Sequence, residues 1–121
     1  MTYQPVDFGK IAADLIEEIG LAFKWFRPPE DRDGYMRLVS RWERALRAAG
    51  RIYPPFVYSE ALDLIIANAK ASDDPPMPGD IISAAEKVIE RIESDRVRGP
   101  ALKKWRDDYK YQRVAELTGE S

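Results

Sequence analysis

A chain of 121 residues, 45% hydrophobic, 33% charged and 11% aromatic with a formal net charge of −2, fits one folded domain and lies far from the composition of disordered chains. It contains no cysteine and no histidine, which excludes disulfides, thiolate-held zinc and any histidine-dependent catalytic triad. Asp7, Asp14, Glu17 and Glu18 interrupt residues 1 to 20, and no apolar run approaches the roughly 18 residues that span a bilayer. A soluble, cytoplasmic protein with no membrane partner is expected.

The first element is an amphipathic helix. Phe8, Ile11, Ala12, Leu15, Ile19, Ala22, Phe23 and Phe26 recur at spacings of three and four, and Asp7 stands at the N-cap position. "RPPEDRDG", residues 27 to 34, stops it, because proline has no amide hydrogen and disfavours helix in the residue before it. A second helix is predicted from Asp31 or Asp33 to Ala49. Its inner face carries Tyr35, Leu38, Val39, Trp42, Ala45, Leu46 and Ala49; its outer face carries Arg37, Arg41, Arg44 and Arg47. Gly50 is suited to end it.

The third helix opens on Pro54 and Pro55, with Val57 or Tyr58, Ala61, Leu62, Ile65, Ile66 and Ala69 facing inward. Proline costs little in a first turn, where its missing amide hydrogen has no intrahelical partner. The next connection, "KASDDPPMPGD", places Pro78 at the first position of a fourth helix and Asp80 at the third, beside the positive end of the helix dipole. Ile81, Ile82, Ala85, Val88, Ile89 and Ile92 form its inward stripe.

"RVRGP", residues 96 to 100, breaks the chain before a fifth helix predicted from Ala101 to about Leu117. Leu102, Trp105 and Tyr109 share a face, but the next place on it falls at Gln112 or Arg113, so only half of this helix has a clear core face. The charge is also uneven: residues 1–95 carry a balance of −5 and residues 96–121 a balance of +3. No alternating pattern bounded by hairpin turns appears, so strands are not expected. The fold class that follows is all-α, a compact bundle of four core helices with a fifth C-terminal helix. Residues 1–95 form the helical scaffold and residues 96–121 a basic, aromatic C-terminal helix or tail.

Chemistry is sparse. There is no G-x-x-x-x-G-K-[ST] and no G-x-G-x-x-G, so a P-loop nucleotide motor is excluded, and no enzyme, catalytic residue or cofactor is expected. Asp73, Asp74 and Asp80 surround one loop, but magnesium needs several oxygens converging on a point, and capping already accounts for acids before a helix start. A helix-turn-helix is disfavoured by the long, proline-rich turn from Gly50 to Pro55 and by Glu60 and Asp63 on the would-be recognition helix.

A Trp-bearing helix, "YMRLVSRWERAL", a Pro-started helix ending in small residues, "PPFVYSEALDLIIANA", and "PPMPGDI" opening another amphipathic helix follow in that order. This arrangement, from about Ile11 to Ile92, resembles the phage replicative-helicase loader and inhibitor family. Met77 stands where that family's pattern prefers a threonine whose hydroxyl caps the helix. The resemblance implies a non-enzymatic adaptor that binds a hexameric replicative helicase until an initiator or single-strand-binding protein directs loading. It further implies that the contact lies in the C-terminal segment.

In this chain that segment holds Trp105, Tyr109 and Tyr111 beside Lys103, Lys104, Arg106, Lys110 and Arg113, a composition found at interface hot spots. The same residues could stack on and neutralise single-stranded nucleic acid. Asp107 and Asp108 favour a protein partner. The rival reading is a small helical nucleic-acid-binding regulator that uses the arginine row of the second helix together with the C-terminal helix.

Overall fold

A computed structural model describes residues 6–70 and 73–118, with side chains in the last helix through residue 113. The described residues form five helices and no strand: α1 (Phe8–Ala22), α2 (Arg32–Ala48), α3 (Pro55–Asn68), α4 (Pro78–Glu93) and α5 (Arg98–Thr118).

The helix starts follow local chemistry. Asp7 accepts a hydrogen bond from the Lys10 amide at 3.0 Å, and Asp31 accepts one from the Gly34 amide at 2.7 Å; each carboxylate satisfies an otherwise orphaned first-turn donor. At α4 the N-cap is Met77, which supplies no oxygen. Asp80 compensates by accepting from the Met77 amide at 2.8 Å, the returning half of a capping box. Past α2, Gly50 takes φ +71°, a left-handed conformation that glycine adopts without the steric penalty of a Cβ.

Two sequence-based boundaries are corrected: α1 ends at Ala22, short of Phe26, with Phe23 extended at its C-cap, and the other concerns α5. It begins at Arg98, three residues before Ala101, because Gly99 and Pro100 fit inside its first turn. Asp95 caps it, its Oδ1 accepting from the amides of Val97 and Arg98 at 2.8 and 2.9 Å. These two donors hold the Asp95 carboxyl below the usual carboxylate range. A Cβ on Gly99 would lie 3.0 Å from the Glu93 carbonyl oxygen, so glycine allows α5 to turn back closely over the end of α4.

Sequential helices pack as pairs, α1 with α2 and α3 with α4, and the pairs join through α1 on α3 and α2 on α4; α5 lies against α4. The shared core includes Ile16, Ile19, Leu46, Val57, Tyr58, Ile81 and Ile92, and each of the aliphatic side chains contributes about 1.5–3 kcal/mol by leaving water. Tyr58 meets the Phe8 ring edge-on at 6.4 Å and lies 5.9 Å from the Tyr53 ring. Neither tyrosine hydroxyl makes a well-formed hydrogen bond, although the Tyr53 backbone lies beside the Tyr58 hydroxyl and Arg51 beside Tyr53; burial pushes the Tyr58 phenol up to about 12.

The predicted stripes are mostly buried, with differences at helix ends. Ala22, Ala45, Ala49 and Ile66 are exposed, whereas Ile16, outside the predicted stripe, is fully buried. α1 packs against both α2 and α3, so its buried arc is wider than one line of side chains.

Candidate functional site

The candidate residues lie on α5, whose placement is fixed from its first turn. Arg98 Nη2 donates to both carboxylate oxygens of Glu60 on α3, at 2.8 and 2.7 Å, while its guanidinium lies 5.4 Å from the centre of the Phe56 ring. The pair is half-exposed, so it contributes little energy and mainly fixes direction. One turn on, Leu102 enters the core at 3% exposure. Arg106 Nη1 then donates to Glu93 Oε1 on α4 at 3.1 Å.

Helical geometry divides the eight candidate residues. Steps of about 100° per residue place Trp105, Arg106 and Tyr109 on the same side as Leu102, and all three are partly buried. Trp105 and Tyr109 stack on each other, their ring centres 5.4 Å apart and their planes inclined by 21°. The opposite side gathers Lys104, Asp107 and Tyr111, with Lys103 and Lys110 on its flank beside Arg106, all exposed. Tyr111 is 74% exposed, a large aromatic standing in solvent. Arg113 is exposed too, but it lies toward the Arg106 side.

The surface that α5 offers is therefore an arc of Lys110, Lys103, Tyr111 and Lys104 with Asp107 in its middle. Trp105 and Tyr109, the strongest aromatic candidates in the sequence, lie on the Leu102 side, partly buried and stacked on each other. The Arg98–Glu60 anchor could not be foreseen, because its partners are separated by 38 residues and neither carries a local signal.

The other candidates are also placed. Arg37, Arg41, Arg44 and Arg47 are all exposed on α2, and Arg47 donates to Glu43 at 2.8 Å and lies 5.8 Å from the Phe8 ring centre. Of the loop acids, Asp73 accepts from the Lys70 amide at 2.7 Å and Asp80 from Met77. Among the described residues, no three acidic side chains converge to hold a metal, and no helix is long and apolar enough to cross a membrane. No family model, curated protein or solved structure matches this chain.

Proposed function

We propose that this chain is a non-enzymatic helical adaptor in phage or prophage DNA replication that binds a hexameric replicative helicase and loads or inhibits it. The observation that carries the adaptor part is the outward side of α5. A helix anchored by Arg98, Leu102 and Arg106 presents Lys103, Lys104, Lys110 and Tyr111 to solvent from an already formed backbone, and a preformed helix loses less backbone entropy on binding. The helicase as partner rests on the resemblance of residues 11–92 to the loader family.

The test mixes the protein with the hexameric helicase of its phage or host in the presence of ATP and follows co-elution on sizing chromatography and the ATPase rate. A complex is expected, weakened more than about tenfold by Tyr111→Ala or Lys104→Glu with an unchanged circular dichroism spectrum. Absence of a complex, together with single-stranded DNA binding that falls steeply with salt, would refute the adaptor. The exposed Arg37, Arg41 and Arg44 favour that second reading, a nucleic-acid-binding regulator, and replacing them would then abolish the DNA binding.

A further inference from the structure

A second surface, away from the outward side of α5, has the chemistry of a docking groove. It lies between α1 and α3 and has a volume of about 680 Å³. Ile11, Leu15 and Leu62 line it with Pro55 and Phe56. The first three are core residues whose outer edges reach the groove, and Phe56 is 46% exposed. Along α1 the lining runs from residue 7 to residue 18, three helical turns or about 16 Å.

The charge around this apolar floor is one-sided. Asp7, Asp14, Glu17, Glu18 and Asp63 line the groove against a single cation, Lys10, and Lys10 is already paired with Asp14 at 3.2 Å. Arg98 reaches Phe56 from α5 but is held by Glu60. The carboxylates are strung along the helices and do not converge as metal ligands do. Their field repels nucleic acid and other polyanions.

We propose that this groove docks a cationic amphipathic helix of a partner protein. A helix of three to four turns lays its apolar stripe on such a floor and projects lysine or arginine to both sides. The carboxylates then supply steering and register and, facing a lysine-rich helix, a share of the affinity. A second copy of this chain is a poorer match: among the described side chains of its basic helix, α5, Leu102 is buried and Trp105 and Tyr109 are partly buried and stacked on each other, which leaves Tyr111 as the exposed aromatic. The site is independent of the helicase contact, and either can fail without the other.

The experiment measures fluorescence anisotropy of labelled synthetic helices of about 14 residues, carrying leucine at i, i+3, i+4 and i+7 and lysine elsewhere, in several stripe registers. Control peptides replace leucine by serine or lysine by glutamate. At least one leucine–lysine peptide should bind the full chain. The double variant Glu17→Lys/Glu18→Lys should bind it at least tenfold more weakly and Phe56→Ala severalfold more weakly, while Glu90→Lys on α4 should leave binding unchanged. Four results would overturn the proposal: no peptide binds; the double variant and Phe56→Ala both bind like wild type; the serine-substituted peptides bind as tightly; or the chain runs as a dimer on sizing chromatography that the leucine–lysine peptide converts to monomer, which makes a second copy the occupant.

Discussion

Replacing Leu102 by alanine tests whether α5 belongs to the cooperative fold. Leu102 is 3% exposed and, among the described side chains, is the member of α5 found in the buried core; the helix-to-helix packing of α5 is against α4. Truncating a buried leucine removes transfer energy and leaves a cavity, a cost of about 2–5 kcal/mol. A site at the margin of the core collapses more readily than one at its centre, so the low end, about 2.5 kcal/mol, applies here. For a chain of 121 residues the unfolding entropy near 60 °C is about 0.25 kcal/mol/K, which converts that loss into a fall in Tm of about 10 °C. Thermal unfolding followed by circular dichroism at 222 nm measures it, with the exposed Lys103→Ala as a control expected to shift Tm by less than about 2 °C. If Leu102→Ala melts within 2 °C of wild type in an equally sharp transition, α5 is not held by the contact described, and the presentation of Lys103, Lys104, Lys110 and Tyr111 from a preformed helix loses its basis.

Three further outcomes are expected. Asp80→Ala removes the acceptor for the Met77 amide and should cost about 1 kcal/mol, a typical value for losing a cap, readable as a lower urea midpoint with an unchanged slope; no shift would mean that Pro78 alone sets the start of α4. Tyr58→Phe deletes a buried hydroxyl that makes no well-formed hydrogen bond and should leave stability unchanged or raise it by up to about 1 kcal/mol. Because the Tyr58 phenol is raised from 10.0 to about 12 in the folded state, wild-type stability should decline across that interval as the unfolded state ionises first, and the variant should lack this part of the decline. The Asp95 carboxyl is lowered by the Arg98 and Val97 amides, so its contribution is present above its unfolded value and lost as pH falls through its folded value. A carboxyl titration by NMR that places Asp95 at or above free aspartate would contradict the cap.

The sequence by itself determined the number, type and order of the helices, because the signals that stop and start them act within four residues. Prolines 54, 55 and 78, the carboxylates of Asp7 and Asp80, and Gly50 each work on the backbone immediately beside them. It also carried most of the inward positions, since a stripe at helical spacing has one way to leave water. It set the start of α5 too late, treating Gly99 and Pro100 as a break when a capped first turn accepts both. Tertiary structure alone decided how wide each buried face is: Ile16 is covered because α1 packs against both α2 and α3, while Ala22, Ala45 and Ile66 remain exposed. It also decided which side of α5 is spent on the bundle, separating Trp105 and Tyr109 from Lys103, Lys104 and Tyr111. The Glu60–Arg98 anchor and the acidic groove between α1 and α3 likewise depend on where distant helices meet, and residues far apart in the chain carry no local trace of the neighbours they acquire in space.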